Sequence, residues 1–279
     1  MTKVPVSFEF FPPRTPAGVT KLKDARSALA RLRPEFFSVT FGAGGSTQDL
    51  TLETVLESRD ETHIDSAPHI SCIGFDRERL SAVLHRYQEV GIERLVALRG
   101  DLPSGMTGFG ELRYARDLVQ FIREQTGDAF TIHVAGYPET HPQARSANDD
   151  IDNFASKISA GANSGITQYF YNPDAYFRFV EACDARGVNA PIVPGIMPIT
   201  NYTQLKRFSD MCGAELPRWI ETRLRDFGDD IESIRAFGID VTTRLCESLV
   251  NGGAPAFHFY TMNQHQASIA VCENLGLGQ

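Results

Sequence analysis

Residues 6–15, VSFEFFPPRT, are the stretch that best distinguishes between the two candidate α/β folds, a barrel and an open sheet. They contain an apolar and aromatic run that is followed by two prolines. β-branched and aromatic residues in a run of this length are typical of a β-strand. A doubly wound nucleotide-binding sheet often has a glycine-rich fingerprint directly after its first strand. Because FFPPRT stands at that point instead, the sequence favours a barrel over an open nucleotide-binding sheet.

Seven further runs of the same kind follow, and stretches with helical periodicity separate them. The predicted strands cover residues 6–11, 36–41, 67–72, 94–100, 131–137, 166–171, 191–197 and 256–262. The predicted helices cover residues 16–33, 48–60, 76–90, 111–126, 146–160, 173–187, 201–212, 217–251 and 264–275. A strand and a helix repeated eight times predict an α/β protein with a (β/α)8 TIM-barrel fold. Residues 1–279 are expected to form a single domain, with extra helices between the seventh and eighth strands.

Composition and charge exclude several classes of function. The formal net charge of −8 argues against a nucleic-acid partner and against a polybasic membrane contact. No apolar run approaches the roughly 20 residues of a membrane-spanning helix, and the N-terminus lacks the features of a signal peptide. The five cysteines lack CxxC spacing and the histidines form neither HxH nor HExxH, so no metal site is expected. The chain is expected to be a cytoplasmic protein.

Hydrogen-bonding side chains recur where the predicted strands end. They are Glu9, Thr40, His69, Arg99, Asp101, Tyr137, Glu139, His141, Gln168, Tyr260 and Asn263. In a TIM barrel these strand ends and the loops after them form the active site. A ring of polar groups around one mouth of the barrel predicts a pocket for a large, polar, planar ligand.

Glu9 is the one charged residue in the first predicted strand, on the same face as Ser7 and Phe11. Both faces of a barrel strand are buried, so its carboxyl has to lie near the mouth or find a partner. One interpretation is an ion pair with Arg14 or Arg99. The other is a desolvated carboxyl that is protonated near neutral pH and acts as a general acid. The residues alone leave both interpretations open.

Four of the seven histidines fall into two groups by position. His133 and His258 lie inside predicted strands and are expected to be hydrogen-bonded in the core. His69 and His141 stand at the ends of strands or loops and are therefore candidates for a functional site.

Taken together, eight motifs resemble those of the methylenetetrahydrofolate reductases. In the order of that family they are FEFFPPRT, SVTFGAGGS, APHISC, LVALRGD, YPETHP, ITQYFY, PGIMPI and FHFYTMN. The resemblance spans residues 6 to about 275 and implies the short bacterial type, which has only the catalytic barrel.

The resemblance implies a flavoprotein that holds FAD non-covalently. It implies reduction of 5,10-methylenetetrahydrofolate to 5-methyltetrahydrofolate with NADH or NADPH, supplying methyl groups to methionine synthesis. The nicotinamide and the folate would use the same site in turn, in a ping-pong cycle. A homo-oligomer is expected. Two alternatives are another flavin-dependent barrel oxidoreductase, such as one acting on proline, and a folate- or flavin-binding carrier without activity.

The resemblance also assigns roles to individual residues. Glu9 matches the general acid that protonates N10 of the folate, and Asp101 matches a catalytic carboxylate near the flavin and the pterin. The implied substrate-binding residues are Thr40, Asp101, Gln168, Gln204, Phe208 and Gln264. The implied FAD-binding residues are Thr40, His69, Leu98, Arg99, Gly100, Asp101, Tyr114, Ala115, Tyr137, His141, Asp150, Asn153 and Lys157. Arg99 and Lys157 are the cations expected near the diphosphate.

Two positions depart from the family pattern. Gln264 stands where the family commonly has an Arg that is expected on the folate side, and Phe41 replaces a Tyr or Trp. The first departure puts the binding of the folate tail in question.

Overall fold

The computed structural model describes residues 4–42, 47–100 and 110–278. Its strands are β1 (Val6–Phe10), β2 (Phe36–Val39), β3 (Ser66–Ser71), β4 (Arg94–Leu98), β5 (Thr131–Gly136), β6 (Ser164–Thr167), β7 (Ile192–Val193), β8 (Gly195–Ile196) and β9 (Phe257–Tyr260). They form one sheet in the order β7-β6-β5-β4-β3-β2-β1-β9-β8, and each described pairing is parallel.

The helices are α1 (Pro16–Ala30), α2 (Gln48–Thr62), α3 (Arg77–Glu89), α4 (Ala115–Thr126), α5 (Ala147–Ser159), α6 (Pro173–Asp184), α7 (Tyr202–Cys212), α8 (Arg218–Asp226), α9 (Ile231–Asn251) and α10 (Gln266–Leu275). The alternation of strands and helices confirms the predicted TIM-barrel fold, and α7, α8 and α9 are the extra helices before the last strand. The predicted helix at 217–251 is two helices, because Gly228 turns the chain with φ 56° and Asp230 caps α9. Among the described helices, none is long and apolar enough to cross a membrane.

The predicted seventh strand is in two pieces, β7 and β8. Pro194 separates them because it has no N–H to donate, so β7 pairs with β6 while β8 pairs with β9. Side chains connect the two sides: the Tyr260 hydroxyl donates to Thr167 O at 2.7 Å, and Gly195 N donates to Thr167 Oγ1 at 2.9 Å. A Cβ at Gly195 would lie 2.0 Å from Thr167 O, so only glycine fits there. The barrel is therefore nearly closed.

Alternation along β1 places polar side chains inside the barrel. Phe8 is buried in the main hydrophobic core with residues of the surrounding helices. Ser7 and Glu9 alternate with it and point inward. The register pairs Ser7 with His258 of β9 and Glu9 with Ser38 of β2. The inner face of β1 is thus lined by polar groups from both neighbouring strands.

Stacked rings fill the barrel interior beside this polar group. The ring of Phe36 lies 5.0 Å from that of His133 and 5.7 Å from that of His258. His133 is hydrogen-bonded to Ser164 and Arg94, as predicted for a core histidine. Burial, assisted by the charge of Arg94, lowers the pKa of His133 to about 3, so this ring is neutral.

Candidate active site

Glu9 lies at the mouth of the barrel with its side chain 20% exposed. Its Oε2 is 3.4 Å from His69 Nε2 and 3.8 Å from His258 Nε2. Of the two interpretations of Glu9, the ion pair with Arg14 or Arg99 is not formed among the described residues: Arg99 donates to Gln143 Oε1 at 2.7 Å, and Arg14 is exposed. The neighbours of the carboxyl are two histidines.

His69 is a neutral neighbour. Burial lowers its pKa to about 4 and outweighs the attraction of Glu9. Although the two side chains are close enough for an ion pair, His69 Nε2 has no hydrogen-bond partner in the described chain. A neutral imidazole at this distance leaves Glu9 without a charged partner on that side.

Ser7 contacts the Nδ1 side of His258. Its Oγ lies 3.2 Å from Phe257 O, to which the hydroxyl can donate, and 2.7 Å from His258 Nδ1. When the hydroxyl donates to Phe257 O, Nδ1 carries the proton and donates to Ser7, and Nε2 is then an acceptor. Nε2 lies 3.3 Å from Ser38 Oγ and faces Glu9. Nε2 is thus within hydrogen-bond distance of Ser38 and beyond it from Glu9.

A separate cavity of about 270 Å³ opens at the ends of β4 and β5, between α4 and α5. Of the thirteen predicted FAD positions, all but three line it; Thr40 and His69 lie elsewhere at the mouth, and Asp101 lies outside the described residues. The predicted lining residues are Leu98, Arg99, Gly100, Tyr114, Ala115, Tyr137, His141, Asp150, Asn153 and Lys157. The lining residues that were not predicted are Ala97, Arg116, Ala135, Gln143, Ala144 and Ser156.

Lys157 is the internal cation of this cavity. Burial lowers its pKa to about 8, while Asp150 favours the charged form. Its Nζ donates to Ala135 O. An ammonium group has three donors, so within the described contacts two remain for a ligand. A partly buried cation with spare donors fits an anionic ligand.

The rest of the lining fits a nucleotide. Gly100 has φ 86°, and a Cβ there would lie 2.9 Å from Ser71 Cβ of β3, so the packing at this position requires glycine. Arg99 spans the cavity to Gln143. Asp150 accepts from His141 N at 2.8 Å and holds the loop after β5 against α5. Two cations in one cavity, Arg99 and Lys157, supply donors that suit a diphosphate.

The predicted substrate-side residues do not form one cluster. Gln168 follows β6, and its Oε1 accepts from Tyr169 N at 3.0 Å. Gln204 is exposed near the start of α7, and Phe208 packs against a second hydrophobic cluster. Gln264 lies apart, in another cavity with Lys21, Asp24 and His265.

Sequence reasoning missed the role of Ser7 and His258 beside Glu9. His258 is indeed hydrogen-bonded in the core, as predicted. Its proximity to Glu9 depends on closure of the barrel, which places β9 next to β1. The sequence feature that could have indicated a role for Ser7 is its position two residues before Glu9, on the same inner face of the first strand. In the described chain no cluster of three or more His, Cys, Asp or Glu side chains could hold a metal ion.

The chain is similar to known proteins over nearly its whole length. A family model described as methylenetetrahydrofolate reductase matches residues 1–276. The chain is 41% identical over 275 residues to a 5,10-methylenetetrahydrofolate reductase of Pectobacterium carotovorum subsp. carotovorum, covering 99% of this chain and 91% of that protein. It is 39% identical to the 5,10-methylenetetrahydrofolate reductase of Escherichia coli K12, covering 99% of this chain and 92% of the relative.

More distant proteins share parts of this likeness. A protein of Arabidopsis thaliana named methylenetetrahydrofolate reductase (NADH) 1 is 38% identical over 284 residues, which is 97% of this chain and 48% of the plant protein. A solved structure of an uncharacterized protein from Clostridium thermocellum, which binds two copies of 5-methyl-5,6,7,8-tetrahydrofolic acid, has a TM-score of 0.69. It is 16% identical, with 98% of this chain and 95% of that chain covered, so the likeness shows the fold alone.

Proposed function

The chain belongs to the methylenetetrahydrofolate reductase family, and on that premise we propose that it reduces 5,10-methylenetetrahydrofolate to 5-methyltetrahydrofolate with FAD as cofactor. NADH or NADPH is the electron donor, and the two substrates react in turn in a ping-pong cycle. The observation that carries this proposal is the cavity between α4 and α5, which gathers most of the residues that the family resemblance assigns to FAD.

Arg99 and Lys157 would hold the diphosphate of FAD, and Gly100 lines the same cavity. Asp150 and Asn153 on α5 supply oxygen acceptors for hydroxyl and amino groups of the cofactor. When bound, FAD supplies the hydride transfer, from nicotinamide to folate.

Glu9 is the proposed general acid. Opening the five-membered ring of the folate requires a proton on N10, and Glu9 would donate it from its carboxyl. His69 supports this role, because a neutral ring does not pair with the carboxylate. On the side of His69 the carboxyl can therefore change its protonation state without breaking a salt bridge. His258 Nε2 lies 3.8 Å from Glu9 Oε2, beyond hydrogen-bond distance.

The remaining roles are proposed from the family resemblance. Thr40, Gln168, Gln204, Phe208 and Gln264 would contact folate or nicotinamide, and Asp101 would act near the pterin. A single domain over residues 1–279, supply of methyl groups to methionine synthesis, a cytoplasmic location and a homo-oligomer also stay predictions.

The test is a pair of anaerobic half-reactions on purified protein loaded with FAD. NADH is expected to bleach the flavin absorbance, and methylenetetrahydrofolate is expected to restore it. A protein that cannot be loaded with FAD would contradict the proposal. Flavin bleaching by proline without any reaction with the folate would favour the other barrel oxidoreductase, and binding without turnover would favour a carrier.

A further inference from the structure

Glu139 joins the loop after β5 to the turn after α7. Its Oε2 accepts a hydrogen bond from Glu215 N at 2.7 Å. Beside this bond, a Cβ at Gly213 would lie 2.8 Å from Pro142 Cγ, so the two segments are in close contact. Both segments line a small cavity together with Gln168. The loop and the turn form one packed unit at the mouth of the barrel.

The end of β6 holds the same part of α7. Tyr169 is buried, and its hydroxyl lies 3.0 Å from Ser209 Oγ and 3.5 Å from Cys212 Sγ. Tyr169 directly follows Gln168 in the chain. The C-terminal half of α7 is therefore attached both to β6 and, through Glu139, to the loop after β5.

Glu139 is held in an unfavourable environment for a carboxylate. Its Oε1 is buried and has no hydrogen-bond partner in the described chain. Burial raises the pKa of Glu139 to about 7, and the charge of Glu215 acts in the same direction. The hydrogen bond from Glu215 N and the charge of Arg178 lower the pKa, but by less. A buried polar oxygen without a partner is costly, and an apolar residue would fill the space without that cost. What an apolar residue cannot supply is the acceptor for Glu215 N.

We infer that Glu139 is a positioning residue for the folate half-reaction. Through its bond to Glu215 N it fixes α7, which carries Gln204 and Phe208, against the loop that carries Tyr137 and His141 on the cofactor side. This inference rests on the proposed function, because it takes α7 as the folate side of the mouth. It adds a residue that touches neither ligand and sets the spacing of the two binding surfaces.

The experiment compares three variants in the FAD-loaded protein. Glu139→Ala removes the acceptor, and Glu139→Gln keeps an oxygen that can accept from Glu215 N. Asp210→Ala is the matched control, since Asp210 is an exposed carboxylate on α7. For each, flavin bleaching by NADH is measured separately from flavin recovery at a series of methylenetetrahydrofolate concentrations.

We expect Glu139→Ala to raise the KM for the folate by about tenfold, the size of one lost hydrogen bond, with NADH-driven bleaching unchanged. Glu139→Gln and Asp210→Ala should keep the KM of the unaltered protein. Hydrogen exchange over residues 202–215 should accelerate in Glu139→Ala alone, with or without folate.

Several results would overturn the inference. An unchanged KM in Glu139→Ala would do so, as would equal loss of both half-reactions, which indicates a general structural defect. Glu139→Gln behaving like Glu139→Ala would rule out the acceptor role. If the unaltered protein is bleached by NADH but never recovers with the folate, the proposed function fails first, and the inference fails with it.

Discussion

The mouth of the barrel has two halves with opposite electrostatic character. Around Glu9 the close neighbours are histidines, and burial lowers the pKa of His69 to about 4 so that it carries no charge. The cavity between α4 and α5 is lined by two basic side chains, Arg99 and Lys157, and the pKa of Lys157, although lowered by burial, is about 8. The first half suits a group that gives up a proton, and the second suits a bound anion. If this division is functional, substitutions in the two halves should impair different steps.

Glu9→Gln should give the largest effect. The amide keeps the size of the side chain but has no acidic proton to give to N10 of the folate. We expect the folate half-reaction to slow by at least about a hundredfold, the usual contribution of a general acid, while flavin bleaching by NADH continues. Stopped-flow absorbance of the two half-reactions measures both rates.

The same experiment also tests the division of the mouth. FAD content should be unchanged in Glu9→Gln, because Glu9 is not among the residues that line the cofactor cavity. Equal loss of both half-reactions would mean that Glu9 has a structural role instead.

Lys157→Met should impair the opposite half. It removes the internal cation while keeping an unbranched side chain of similar length. A hydrogen bond to a charged group contributes about 1.5–3 kcal/mol, so FAD affinity should fall by about ten- to a hundredfold. Fluorescence titration of the FAD-free protein gives the Kd. Lys206→Met removes an exposed cation on α7 and should leave the Kd unchanged; a similar loss in both variants would refute a specific role for Lys157.

Raising the pH should weaken FAD binding by less than Lys157→Met does. The pKa of Lys157 is lowered to about 8, so the charged form predominates below pH 8 and is lost as the pH rises through that value. An anion binds the charged form better, hence FAD affinity should be retained below pH 8 and fall above it, by at most about tenfold per pH unit. Lys157→Met should lack the step, and persistence of the step in that variant would assign it to another group.

The fold could be predicted because the alternation of strands and helices is regular along the chain. The division of the seventh strand could not, since PIVPGIM reads as one apolar run. What decides it is tertiary: Pro194 has no donor for a strand partner, and Gly195 must approach Thr167 O more closely than any side chain permits.

The sequence predicts the two halves of the site to different extents. Alternation along the first strand placed Glu9 inside the barrel, but charge alone suggested arginine partners. The true neighbours come from distant strands, and the Ser7–His258 contact joins residues 251 positions apart. The FAD-binding role of the residues that line the cavity between α4 and α5 is predicted from family motifs alone, because spacing does not show that Arg99 and Lys157 line one cavity.

Ser7→Ala should give the smallest effect and test the tautomer of His258. Without the hydroxyl, Nδ1 loses its acceptor, and the proton can move to Nε2, where it donates toward Glu9 and favours the carboxylate. The folate half-reaction should slow by about three- to tenfold, in keeping with the loss of one hydrogen bond, with FAD affinity unchanged. Ser38→Ala is the control: Ser38 contacts Nε2 and leaves the bond at Nδ1 intact, so its effect should be smaller. A larger loss in Ser38→Ala than in Ser7→Ala would show that Nε2, not Nδ1, carries the proton, and Glu9 would then face a donor.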